Sequence, residues 1–145
     1  MSAELHAQLA AQVVPLLRER LPGLLSVYAF GSRVTGQAGP DSDLDLAVLV
    51  AGYADVMGLW HLSSELAERV GCEVDLLDMR AASTVLQYQI LTQGQRLWVA
   101  APLVGAWEAA VLSDKLDLDV ARAGYVQDVL REGRVHGRCQ PATRL

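Results

Sequence analysis

Between positions 43 and 50 the chain reads Asp-Leu-Asp-Leu-Ala-Val-Leu-Val, and the second half of this run constrains the fold more than any other stretch. A strand wet on one face would alternate apolar and polar residues, but Ala47 to Val50 is uniformly apolar and calls for burial on both faces. Such a strand sits inside a sheet with helices above and below it.

The rest of the chain supplies that cover. Leu5, Leu9, Val13, Val14, Leu16 and Leu17 recur at helical spacing over residues 3–20, and Pro22-Gly23 ends the run. Residues 24–30 are short, apolar and partly alternating, which predicts a strand stopping at Gly31. Helical spacing returns over 54–70 through Val56, Leu59, Trp60, Leu62, Leu66 and Val70, with Gly71 as the stop. A third strand is predicted over 73–77, a helix over 83–92, a short strand over 96–99 and a long helix from Pro102 to about residue 131. Residues 132–145, with arginines, glycines and Pro141, predict a flexible tail. The expectation is a single α+β domain over 1–145, of α/β type: a small mixed sheet with flanking helices, its strand order not legible.

Composition enters as an exclusion. With 145 residues, 52% of them hydrophobic, and a net charge of −5, the chain suits a soluble domain with no strong attraction for a polyanion, so no direct nucleic-acid partner is expected. Neither a signal-peptide pattern nor an apolar run long enough to span a bilayer is present, which predicts a cytoplasmic protein with no membrane partner. Cys72 and Cys139 have no second cysteine at metal-ligand spacing and read as free thiols.

The polar residues at the mouth of the apolar run carry the chemistry. Side chains alternate along a strand, so Asp43 and Asp45 share one side while Leu44 and Leu46 take the other. Two carboxylates this close repel unless a cation lies between them, and hard oxygen donors suit Mg²⁺ or Mn²⁺. In Glu73-Val74-Asp75-Leu76-Leu77, Asp75 faces away from the apolar side, so it becomes a third carboxylate if its strand lies beside the second. Gly31 permits close backbone approach, and Ser32, opening a helical turn, offers a hydroxyl and amides to a phosphate, with Arg33 as a further cationic contact. Each piece has an ordinary reading. Asp41, Ser42 and Asp43 suit a turn after Gly39-Pro40, and Asp75 alone suits a solvated strand end. Together and in this order they suggest metal-assisted phosphoryl or nucleotidyl transfer.

Gly31-Ser32, ten intervening residues and Asp43-Leu44-Asp45 resemble the GS-x10-DxD signature of the DNA polymerase β-like nucleotidyltransferases. The short chain and the stretch LQYQILTQGQRLW at 86–98 resemble the minimal nucleotidyltransferases (MNT), antitoxins paired with HEPN ribonuclease toxins. That resemblance implies that Asp43 and Asp45 bind Mg²⁺, that Asp75 is the third carboxylate and that Gly31 and Ser32 hold ATP, with Arg33 steadying the triphosphate. It implies a hetero-oligomer in which AMP passes from ATP to a tyrosine hydroxyl of a HEPN toxin, releasing pyrophosphate and silencing the toxin. Larger relatives add an acceptor domain, whereas here only residues 100–145 follow the last strand, which favours an acceptor presented by a partner. Two other functions remain in view: an antitoxin that masks its toxin without catalysis, and transfer to a small molecule such as an aminoglycoside.

The other conspicuous residues carry bland expectations. His6, His61 and His136 read as surface or boundary residues, and Tyr28 as a buried strand residue. Trp60, Trp98 and Trp107 read as core, Asp114, Asp117 and Asp119 as a solvated face, and Arg131, Arg134 and Arg138 as part of the tail.

Overall fold

The computed structural model describes residues 2–36, 39 and 42–115. Helix α1 (Ala3–Arg20) starts at Ser2, whose side chain accepts from the Leu5 amide, and carries Pro15 within a buried stripe of Val13, Val14, Leu16 and Leu17. That stripe holds the helix through the position where proline removes a backbone donor. Then come β1 (Leu24–Phe30), a single turn α2 (Ser32–Thr35), β2 (Leu44–Val50), α3 (Val56–Val70), β3 (Val74–Asp78), α4 (Thr84–Gln93) and β4 (Gln95–Val99), and, at the end of the described residues, helix α5 over 103–115.

The four strands lie in the order β3-β2-β1-β4. β1 runs antiparallel to β2 and β4, while β2 and β3 are parallel, so the sheet is mixed, as expected. Its first face carries Val27, Ala29, Leu44, Leu46 and Val48 and packs on α1 and on Leu59, Leu62 and Leu66 of α3. The second face carries Tyr28, Ala47 and Leu49 and packs on Met79, Ile90 of α4 and Val104 of α5. Ala47 to Val50 is therefore buried on both sides, which is what its unbroken apolar character demanded.

Polar groups inside this frame are bonded. Ser26 donates to the Tyr28 hydroxyl at 3.0 Å, and Tyr28, 2% exposed, donates to Glu108 Oε2 at 2.7 Å. Arg96 donates to Glu108 Oε1 at 2.9 Å, so the chain of contacts fastens α5 to β1 and β4. Burial pushes the Tyr28 hydroxyl well above the usual tyrosine range, which keeps it a donor. Asp78, 8% exposed, accepts from the Ala54 amide at 2.9 Å and the Arg80 amide at 3.0 Å, joining the end of β3 to the approach to α3.

Several expectations shift in detail. β2 begins at Leu44, so Asp43 lies just outside it, while Cys72, in the bend after Gly71, is half-buried and free as expected. Trp60 is not core. It is 67% exposed, because Leu59, Leu62 and Leu66 hold the buried stripe of α3 and the helix turns the next position outward. Tyr28 is buried as expected, while Trp98 and Trp107 are half-buried against the two clusters. Residues 116–131 of the long helix, the tail at 132–145, Cys139, Asp117, Asp119, His136, Arg131, Arg134 and Arg138 lie outside the described residues. Among the described residues, no helix is long and apolar enough to cross a membrane.

Replacing Asp78 with Ala leaves two amides without their acceptor in a nearly dry position. The expected cost is about 1–3 kcal/mol, read as a lower urea midpoint at unchanged slope.

Candidate active site

At one end of the sheet β1 stops where β2 and β3 start, and the register aligns Phe30 with Asp45 and Asp45 with Asp75. The three strand ends are further tied by the Leu44 amide, which donates to the Glu73 carbonyl at 2.8 Å. Asp45 shares its face with Ala47 and Leu49, as the strand period requires, while Leu44 and Leu46 are buried on the other face.

Gly31 makes the corner possible. Its φ of 81° and ψ of −162° suit glycine alone, and a Cβ there would run into the Asp45 carboxylate. The chain then closes one helical turn from half-buried Ser32, with the Val34 and Thr35 amides donating to the Gly31 carbonyl at 3.1 and 3.2 Å. Gly36, at φ 82°, ends it. The Gly-Ser corner and the Asp45 carboxylate therefore meet at one spot.

Asp45 is half-buried, whereas Asp43 and Asp75 are exposed. Burial raises the Asp45 carboxyl above its ordinary range, and the charges of Asp75 and then Asp43 raise it further. Both neighbouring acids thus disfavour the charged form of Asp45. Among the described residues, however, no three acidic, histidine or cysteine side chains stand close enough to grip one ion together. They line a rim of oxygen donors and form no closed cage. Such a rim fits Mg²⁺, which takes one or two carboxylates and completes its shell with water and substrate phosphates.

Arg33 is differently engaged from its expected part. Its Nε donates to the Ser42 carbonyl at 2.9 Å, and its side chain lines a hollow with Leu44, Cys72 and Leu9 of α1, on the sheet face opposite Asp45. The turn at Ser42, whose hydroxyl accepts from the Gly39 amide at 2.8 Å, is pinned by this contact immediately before Asp43. Two residues near the rim were not expected at the site, Trp60 having been read as core and Glu73 only as part of a strand. Glu73 and Trp60 line a groove of about 300 Å³ between α3 and β3 that also includes Asp75. The signal for it was available: Ser63, Ser64 and Ala67 follow Trp60 at helical spacing and offer a large ring no apolar partner.

Comparison with known proteins agrees with this geometry. The family model described as polymerase beta, nucleotidyltransferase matches residues 12–101. The protein adenylyltransferase MntA of Shewanella oneidensis is 36% identical over 119 residues, covering 82% of this chain and 86% of MntA. A crystal structure of a toxin–antitoxin with AMP-PNP contains a chain matching at TM-score 0.73 and 36% identity, over 83% of this chain and 98% of that one. A complex of tri-AMPylated Shewanella oneidensis HEPN toxin with MNT antitoxin matches at TM-score 0.70 and 33% identity, over 86% of this chain and 98% of that one. The chain belongs to the polymerase β-like nucleotidyltransferase family, among minimal nucleotidyltransferases of the MntA kind.

Gly31→Ala and Gly36→Ala both place a side chain at positive φ, but only the first meets a neighbour. Gly36→Ala is expected to cost about 1 kcal/mol. Gly31→Ala should cost clearly more, and equal unfolding midpoints for the two variants would show that the contact with Asp45 does not matter.

Proposed function

We propose that this chain is an antitoxin protein adenylyltransferase that moves AMP from ATP onto a tyrosine hydroxyl of a HEPN ribonuclease toxin in the cytoplasm, within a hetero-oligomer. The observation that carries the reading is the alignment of Asp45 with Asp75 directly against the Gly31-Ser32 corner. Support for the substrate and partner comes from the MntA relative, the AMP-PNP complex and the AMPylated HEPN toxin bound to an MNT antitoxin.

In this reading Gly31 and Ser32 receive the triphosphate, with the missing side chain of Gly31 leaving room for it beside Asp45 and the Ser32 hydroxyl donating to a phosphate oxygen. Asp43 and Asp45, with Asp75, would hold Mg²⁺, or Mn²⁺ in its place, which when bound offsets the charge on the acids and on the departing pyrophosphate. Asp75, exposed at the start of edge strand β3, takes the proton from the incoming hydroxyl. The hydroxyl oxygen bonds to the α-phosphorus, the bond from that phosphorus to the bridging oxygen breaks, and pyrophosphate departs. Arg33 acts one step back by holding the Ser42 turn, and so Asp43, in place.

Changing Asp43 and Asp45 together to Asn is expected to abolish transfer of label from [α-³²P]ATP to a HEPN ribonuclease toxin. Asp75→Asn should slow transfer by about 100-fold or more, and chelation should stop it until Mg²⁺ is restored. Full neutralisation of the toxin by the double variant, with no label on it, would replace catalysis with masking.

A further inference from the structure

The exposed side of α3 is apolar where a lone helix would be polar. Val56 is 78% exposed, Met57 54% and Trp60 67%, and the Trp60 ring stacks only on the neighbouring His61 ring, centroids 6.3 Å apart, among the described residues. These positions fall on one helical stripe that continues into Ser63, Ser64 and Ala67. The three small residues form one wall of the groove of about 300 Å³, and Glu73, Val74 and Asp75 at the start of β3 form the other. The serine hydroxyls turn back onto the Trp60 carbonyl, Ser63 at 2.7 Å, so this wall is smooth as well as shallow. An apolar ridge thus leads along α3 into a groove that includes Asp75, the residue assigned to the incoming hydroxyl.

We infer that the Val56-Met57-Trp60 ridge and the groove below it are the docking surface for the acceptor toxin, seating apolar side chains on the ridge and guiding the acceptor tyrosine along the groove to Asp75. The inference rests on the proposed transferase reading and names where its protein substrate binds. Two observations select this occupant. The groove is continuous with the candidate active site through Asp75, which a binding face for any other purpose would not need. Its strand-side wall is acidic, with Glu73 and Asp75, and so favours a partner that brings basic side chains to this contact. Small wall residues allow a partner backbone to approach closely, and a large exposed aromatic is the kind of anchor on which protein interfaces concentrate their affinity.

The test uses the full chain with Trp60→Glu and, separately, Met57→Glu, both surface positions. Binding of the purified HEPN toxin is measured by titration calorimetry without nucleotide, and label transfer from [α-³²P]ATP is measured in parallel. The expected result is a Kd for the toxin weaker by about tenfold or more in each variant, a matching rise in KM for the toxin and unchanged binding of ATP. Wild-type Kd in both variants overturns the assignment. So does loss of several degrees in unfolding midpoint by isolated Trp60→Glu, which would mean that the chain's own residues cover the ridge. Conversion of a self-associated wild type to monomer with toxin binding intact would assign the ridge to a second copy and also overturns it. Failure of the wild-type chain to label a toxin that it binds would sink the transferase reading instead, while the calorimetry still decides the docking surface.

Discussion

The approach of the Gly31 backbone to the Asp45 carboxylate is the constraint on which the candidate site depends. β1 can end there only because no Cβ stands between the two, and the chain leaves at a backbone angle reserved for glycine. This one contact sets Ser32 at the carboxylate rim and fixes where the helical turn begins. The acid that Gly31 meets is half-buried, its carboxyl raised first by burial and then by the charges of Asp75 and Asp43.

The sheet distributes two tasks between its faces. On one, α1 and α3 cover Leu44, Leu46 and Val48, and that face serves stability. On the other, α4 and α5 cover Tyr28, Ala47 and Leu49, while Asp45 and Asp75 occupy the strand starts on the same side. The contacts from Ser26 through Tyr28 and Glu108 to Arg96 fasten α5 with groups that would otherwise be stranded in a dry interior. Rigid strands thus carry the acids, and a short turn carries the group that would meet the phosphates, a division suited to transfer between two separately bound partners.

How much was legible follows from what kind of information each feature needs. The strand at 44–50 and the helix at 56–70 were readable because burial leaves its period in the residues themselves. The expectation that Asp43 and Asp45 share a side came from the same period, which stops short of Asp43 because β2 begins at Leu44, and the spacing from Gly31-Ser32 added the resemblance to nucleotidyltransferases. That β3 lies beside β2 could only be supposed, since strand order depends on how the helix between them folds back. The sequence could not say which partner Arg33 takes, because a long side chain at this corner can turn to either face of the sheet, and here its Nε donates to the Ser42 carbonyl beside the hollow under α1. Trp60 was assigned to the core on residue type alone, though the serines and alanine one turn along the helix give it nothing apolar to pack on.

β3 pairs with β2 alone among the described residues, which leaves its outer side as an open border of the sheet. Open borders invite another strand to zip on, and natural sheets discourage this with charge. Glu73, just before β3, and Asp75 put two negative groups at that border, so an acid proposed to serve the reaction also acts as a gatekeeper against unwanted self-assembly. A chain that neutralised them would risk its solubility along with its chemistry.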